Sequence, residues 1–167
     1  MGKKAIFCYG TPLEREDKKM FEQNCDRNLS IMSEIAKVKN YEFNIIPFSK
    51  LYLEIKEKEI DLIYFTGHGN NFCISNLSEK LDSFFEILNK DGSKKIVILD
   101  ACTKDYISKT TFPQNIKVLG AEKIYDSRSL AKILYDAVLC RNNELEDLTK
   151  QTFKDMTPNY SWVNVKN

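Results

Sequence analysis

The sequence predicts an α/β protein built on a mostly parallel sheet with helices on both faces. Three apolar runs, residues 5–9, 62–65 and 96–99, are short, rich in β-branched or aromatic side chains, and continuous rather than alternating. That pattern is typical of strands buried on both faces of a parallel sheet. Helical patterns lie between the runs, and strands that alternate with helices at this spacing indicate βαβ units.

Weaker patterns predict three more strands. Residues 43–48 are apolar apart from Asn44, and residues 116–119 form a short fifth run. Residues 161–165 are expected to form a last edge strand, because they combine β-branched and aromatic residues after a helix-breaking proline.

Two helices are predicted in the first half of the chain from apolar side chains that recur at helical spacing. The first spans about residues 17–39, and its apolar stripe consists of Phe21, Cys25, Leu29, Met32 and Ala36. The second follows candidate cap residues at 75–76, runs through residues 77–88, and stops at residues 91–92, which are Asp-Gly.

Two more helices are predicted after the fifth strand. The third follows a cap at Asp126 or Ser127 and carries its apolar stripe through residues 130–138. The fourth covers residues 145–156 and ends before Pro158.

Length and charge favour a function that resides in a local site. The 167 residues suit one domain, and 25 Lys and Arg stand against 24 Asp and Glu, for a formal net charge of +1. No global field is present to hold a nucleic acid or an anionic membrane, so neither is expected as a partner.

The cysteines indicate a reducing compartment. There are five, in no CxxC pair: Cys8, Cys25, Cys73, Cys102 and Cys140. Neither a disulfide framework nor a thiolate zinc site is suggested, so we expect no metal, no cofactor and a cytoplasmic protein. No stretch has the length and hydropathy of a membrane span, and the start of the chain does not resemble a secretory signal.

Two reactive side chains follow neighbouring predicted strands. The only histidine, His68, comes directly after residues 62–65, and Cys102 comes directly after residues 96–99. Ligands of open α/β sheets sit outside the carboxyl ends of the strands, and two strands joined by one helix are expected to be neighbours. The imidazole and the thiol are therefore expected to face one crevice.

This pairing suits nucleophilic catalysis by cysteine. A nearby imidazole can take the proton of a thiol whose ordinary pKa is near 8.5, and later return a proton to a leaving amine. The backbone amides of Gly69 and Cys102 are candidate donors for an oxyanion hole. Taken singly, each side chain has a simpler interpretation, as a turn histidine and a small core cysteine.

Residues 64–69, Tyr-Phe-Thr-Gly-His-Gly, and residues 97–102, Val-Ile-Leu-Asp-Ala-Cys, resemble the two signature blocks of the caspase-like cysteine peptidases. That group includes caspases, metacaspases, legumain, clostripain, gingipains, separase and CHAT domains. Residues 117–121 and 125–138 look like the strand and helix that follow the cysteine in CHAT and clostripain-like members.

The resemblance implies a three-layer caspase-like fold with flavodoxin-like strand order. It implies one peptidase domain over residues 1–167, with a core at about residues 3–140 and a C-terminal helix and edge strand within residues 144–165. By the same resemblance, His68 is the general acid and base, Cys102 is the nucleophile, and the Gly69 and Cys102 amides form the oxyanion hole.

The resemblance also implies a specificity. Asp100, two residues before the cysteine, takes the position that lines the primary specificity pocket, where a carboxylate favours lysine or arginine before the scissile bond. Glu14, Asp17 and Glu122, after other strand ends, are candidates to add to that pocket. The alternatives are a buried Asp100 carboxylate that caps backbone amides, and solvated surface charges for the other three.

Three functions are therefore weighed. The leading one is a cysteine endopeptidase that cleaves protein or peptide substrates after a basic residue. The second is a catalytically silent caspase-like module that serves as a regulatory or partner-binding subunit in a larger assembly, because Thr103 follows Cys102 where many relatives have a glycine nearby, and the region after Cys140 is brief. The third, a flavodoxin-like or Rossmann-type binding domain, is disfavoured because residues 10–12 carry no GxGxxG or P-loop.

Overall fold

A computed structural model describes residues 2–68, 77–102, 111–123, 130–156 and 161–165. The strands are β1 (Lys3–Tyr9), β2 (Tyr41–Pro47), β3 (Leu62–Thr66), β4 (Lys95–Cys102), β5 (Ile116–Lys123) and β6 (Ser161–Val165). The α-helices are α1 (Lys18–Val38), α2 (Leu51–Glu57), α3 (Leu77–Leu88), α4 (Leu130–Tyr135) and α5 (Lys150–Met156).

The six strands form one sheet in the order β2-β1-β3-β4-β5-β6. The first five are parallel, and β6 runs antiparallel to β5 at the edge. The order of the parallel strands, 2-1-3-4-5, is the flavodoxin-like order that was expected. The predicted α/β fold class is confirmed.

Helices cover both faces of the sheet, because successive side chains of each strand point to opposite sides. Phe7, Tyr64 and Ile98 pack on one face with side chains from α1 and α4. Phe65 is adjacent to Tyr64 in β3, and Val97 is adjacent to Ile98 in β4. Both pack on the other face with side chains from α2 and α3. The three layers bury residues 5–8, 62–65 and 96–99, which explains why these sequences are continuous apolar runs rather than alternating ones.

Most predicted elements lie within two or three residues of the observed ones. The first helix begins after Asp17, whose carboxylate accepts the backbone N–H of Met20 at 3.1 Å. The last strand, residues 161–165, is observed as predicted. The predicted caps at residues 75–76, Asp126 and Ser127 lie outside the described residues.

Three differences concern short helices. Helix α2 was not predicted, because its seven residues bury only Leu51 and Ile55, too few to show a period. The third predicted helix is α4 continued by a π-helical turn at Asp136–Cys140. The fourth divides into a 3₁₀ turn at Leu145–Asp147 and helix α5.

Candidate active site

The sheet register brings the two predicted catalytic positions to one edge. Thr66 of β3 pairs with Asp100 of β4, so His68 and Cys102 each lie two residues beyond a paired position. Strand β4 continues to Cys102, which pairs with Ala121 of β5 after an irregularity that begins at Leu99. The side chain of Cys102 is outside the described part of the structure, and the juxtaposition is therefore one of backbone positions on adjacent parallel strands.

Gly67 lets the chain leave β3 toward this edge. Its φ of 154° lies in a region that favours glycine, and a Cβ there would lie 3.1 Å from the Gly10 Cα and 3.0 Å from the Phe65 ring. The backbone N–H of Gly10 donates to the Thr66 carbonyl at 3.0 Å. The close backbone approach next to His68 therefore requires a residue without a side chain.

The His68 imidazole is held on two sides. Its Nε2 lies 2.6 Å from the Glu16 carboxylate, and its ring stacks on the Phe21 ring with centroids 5.1 Å apart and planes 19° apart. The side chain keeps 32% of its surface exposed, so the ring is restrained yet accessible to solvent.

Glu16 belongs to the segment between β1 and α1. Its carboxylate also accepts the backbone N–H of Leu13 at 3.1 Å. Partial burial acts to raise the pKa of Glu16, but the hydrogen bonds from His68 and Leu13 act more strongly together and leave that pKa below its ordinary value. Glu16 is therefore ionised at neutral pH, and it acts as an acceptor.

Sequence reasoning did not single out Glu16. It considered Glu14 and Asp17 in the same segment, of which Glu14 is exposed and Asp17 caps α1. One signal in the sequence does point to this segment. It follows β1, which is the parallel neighbour of β3, so it lies at the same edge of the sheet as His68. Which of the three acids faces His68 depends on the path of the loop, which no local pattern determines.

Asp100 is buried, with 7% of its surface exposed. Its carboxylate accepts the Tyr64 hydroxyl at 2.5 Å and the backbone N–H groups of Leu130 and Ala131, both at 3.3 Å, at the start of α4. Burial raises the pKa of Asp100 above its ordinary value, against the lowering effect of these three hydrogen bonds. The carboxylate thus caps backbone amides, and a role in a specificity pocket stays a prediction.

A second buried polar contact lies beside Asp100. The Asn28 side-chain amide donates to the Thr66 hydroxyl at 3.0 Å, while the Asn28 Oδ1 has no hydrogen-bond partner among the residues that the structure describes. Cys25 lies next to the same hydroxyl, and burial, together with the charges of Asp26 and Asp100, raises its pKa to about 11. This thiol stays protonated at neutral pH, in agreement with the place of Cys25 on the apolar stripe of the first helix.

The other predicted site residues are less fully placed. Glu122 lies on β5, and its side chain is outside the described part of the chain. Gly69 lies outside the described residues altogether. Across the described ranges, no group of three or more His, Cys, Asp or Glu side chains is arranged to hold a metal ion.

A cavity of about 970 Å³ lies away from this site, at the amino ends of the strands. Three of its lining charges contact one another or a neighbouring carbonyl. Lys3 pairs with Glu146 at 2.6 Å, and the Lys117 ammonium donates to the Glu146 carbonyl at 2.7 Å. Because open α/β sheets bind ligands at the carboxyl ends of their strands, the edge that carries His68 remains the candidate site.

The sheet order, the layers and the edge that carries residues 68 and 102 define an α/β protein with a caspase-like fold. The solved structure described as "structure of pro-sf-caspase-1" is similar to this chain with a TM-score of 0.50 and 10% sequence identity. The similarity covers 86% of this chain and 74% of that one. No protein-family model and no curated protein sequence matches the chain.

In the parts of the chain that the structure describes, every helix is too short or too polar to cross a lipid bilayer.

Proposed function

We propose that this protein is a cysteine endopeptidase of the caspase-like type, with Cys102 as nucleophile and His68 as general acid and base. The observation that carries the proposal is the pairing of Thr66 with Asp100 on adjacent strands. Because of this pairing, His68 and Cys102 each lie two positions beyond a paired residue. The resemblance of the two sequence blocks and the caspase-like fold point to the same chemistry. A cytoplasmic setting, which keeps the thiol reduced, belongs to this proposal.

The proposed reaction has two stages. The Cys102 thiol gives its proton to His68, and the thiolate sulfur attacks the peptide carbonyl carbon to form a tetrahedral intermediate. The C–N bond then breaks, and His68 gives the proton to the departing amine, which leaves a thioester. In the second stage water attacks the thioester, His68 takes a proton from the water and passes it to the Cys102 sulfur, and the carboxylic acid product is released. The amides of Gly69 and Cys102 are proposed to bind the oxyanion.

Cleavage after lysine or arginine is a further part of the proposal. An ionised carboxylate offers roughly four lone-pair positions, and Tyr64, Leu130 and Ala131 use three of those on Asp100. A basic substrate side chain would take the remaining position, with Glu122 as the other proposed pocket residue. This arrangement rejects acidic side chains by charge repulsion.

Covalent labelling tests the proposal. A peptidyl acyloxymethyl ketone with a terminal lysine or arginine is incubated with the protein, and mass spectrometry identifies the labelled cysteine. We expect labelling of Cys102, its loss in Cys102→Ala, and a strong reduction in His68→Ala. Cys140→Ala is the matched control, because Cys140 is an exposed thiol at the far end of the π-helical turn. Labelling of Cys140 or Cys8 at the same rate as Cys102 would contradict the proposal.

The alternative is a silent module that binds a regulatory partner or joins a larger assembly. The observation that favours it is the Asp100 carboxylate, which caps the start of α4 in the manner of a structural group. Absence of selective labelling at Cys102, in a protein that is folded by circular dichroism, supports the alternative. Asp100→Asn separates specificity from catalysis, since unchanged preference between basic and neutral probes would exclude the pocket role.

A further inference from the structure

We propose that Glu16 is a positioning residue for His68. The Glu16 carboxylate accepts the imidazole Nε2–H and fixes that tautomer, which makes Nδ1 the nitrogen that exchanges a proton with Cys102. The inference deepens the proposed function and rests on it. The contact that carries it is the 2.6 Å separation of the Glu16 carboxylate oxygen from Nε2.

The chemistry of the two groups determines the direction of the hydrogen bond. An ionised carboxylate can only accept, so Nε2 must carry the proton in this contact. In a neutral imidazole the lone pair then belongs to Nδ1, and that nitrogen is the base. The separation is in the range of short, charge-assisted hydrogen bonds, and the low pKa of Glu16 agrees with an ionised partner.

Glu16 is itself held in place. Its carboxylate accepts the Leu13 N–H, which closes a short turn before α1, and the N–H of Glu16 donates to the Leu13 carbonyl at 3.0 Å. The next residue, Asp17, caps the first turn of α1. Phe21, one turn further along α1, stacks on the His68 ring. One loop and one helix therefore restrain both the position of the imidazole and its rotation.

The contact differs from an ordinary surface ion pair. The side chains of His68 and Glu16 are 32% and 26% exposed, whereas those of Lys18 and Glu22, on the same stretch of chain, are 75% and 56% exposed and lie 3.8 Å apart. Exposed pairs such as the second contribute little and hold no fixed geometry. Glu22 therefore provides a matched control for Glu16.

Nitrogen NMR reads the tautomer directly. His68 is the only histidine in the chain, so its ring nitrogens give unambiguous signals in long-range ¹H–¹⁵N spectra of the ¹⁵N-labelled chain. With the imidazole neutral, we expect the Nε2–H tautomer to dominate in the wild type and in Glu22→Gln. Glu16→Ala should show a mixture of both tautomers. Glu16→Gln should retain mostly Nε2–H, because its amide carbonyl still accepts.

The same four proteins are then compared in the labelling assay with the basic acyloxymethyl ketone. Because general acid–base catalysis contributes large factors, Glu16→Ala should lower the limiting rate of Cys102 labelling about tenfold or more. The half-saturating probe concentration should change little, since Glu16 orients the base rather than binding the probe. Glu16→Gln should fall between Glu16→Ala and the wild type.

The outcomes separate the two proposals. An unchanged tautomer in Glu16→Ala, or a wild type in the Nδ1–H form, overturns the positioning role, as does wild-type labelling speed in Glu16→Ala. If the spectra show the expected tautomers but Cys102 is labelled in no variant, the peptidase function is overturned and the tautomer assignment stands. Should Glu16→Ala fail to fold, Glu16→Asp gives the same comparison, because its shorter side chain withdraws the carboxylate from Nε2.

Discussion

Replacing Tyr64 by phenylalanine isolates the hydrogen bond that holds the Asp100 carboxylate beneath the candidate site. The Tyr64 hydroxyl donates to Oδ2 at 2.5 Å, and both residues are buried. A hydrogen bond to a charged group contributes about 1.5–3 kcal/mol, so we expect Tyr64→Phe to lower the free energy of unfolding by about 2 kcal/mol at neutral pH.

This effect should depend on pH. Burial raises the pKa of Asp100 in the folded protein, so ionisation of this carboxyl is less favourable there than in the unfolded chain. The free energy of unfolding therefore falls as the pH rises through the folded-state pKa. The Tyr64 hydroxyl favours the carboxylate and opposes that loss. Tyr64→Phe should therefore raise the pKa of Asp100 further, and it should destabilise the protein more at neutral pH than at acidic pH, where Asp100 is protonated in both variants.

Urea unfolding followed by circular dichroism measures both effects. Tyr41→Phe is the matched control, because the Tyr41 hydroxyl lies 3.3 Å from the partly exposed Glu146 carboxylate. Its loss should lower the free energy of unfolding by less than about 1 kcal/mol. Equal destabilisation by the two substitutions, or no difference between acidic and neutral pH for Tyr64→Phe, would refute the reasoning.

Three further predictions concern single side chains and use the same unfolding measurement. Asp17→Ala removes the carboxylate that caps α1, and it should destabilise the protein by about 0.5–2 kcal/mol, whereas Asp26→Ala, within the same helix, should have less effect. Met32→Ala truncates a side chain with no exposed surface, and a loss of about 2–5 kcal/mol is expected. The hydrogen bond from Lys95 lowers the pKa of Asp91 to about 2, so stability present at neutral pH should be lost as pH falls toward 2, and Asp91→Asn should remove that dependence.

The strands show where sequence patterns are reliable. Residues 62–65 and 96–99 are continuous apolar runs because β3 and β4 are covered by helices on both faces, and that burial leaves a direct trace in the sequence. Helix α2 leaves no such trace, since only Leu51 and Ile55 of its seven residues are buried. A pattern predicts an element when enough of its residues face the core to show a period.

The residues of the candidate site also differ in how well the sequence predicts them. His68 and Cys102 were found because each follows a recognisable strand, and β3 and β4 prove to be neighbours in parallel register. Glu16 was not found, because it reaches His68 across 52 positions of the chain, from a loop of irregular structure. Asp100 was recognised as important, but its partners Leu130 and Ala131 lie on a helix that packs on the sheet from a distant part of the chain.

The sequence by itself determined the α/β class, the strands that carry residues 68 and 102, and the edge of the sheet at which they lie, because these follow from local burial patterns and from the general geometry of parallel sheets. Only the tertiary structure decided that Glu16, rather than Glu14 or Asp17, holds the imidazole, and that Tyr64 and α4 hold Asp100. Those contacts join segments far apart in the chain, and their distances depend on how the loops and helices pack. The physical reason is that hydrogen-bond partners are chosen within a few tenths of an ångström, a precision that side-chain periodicity does not carry.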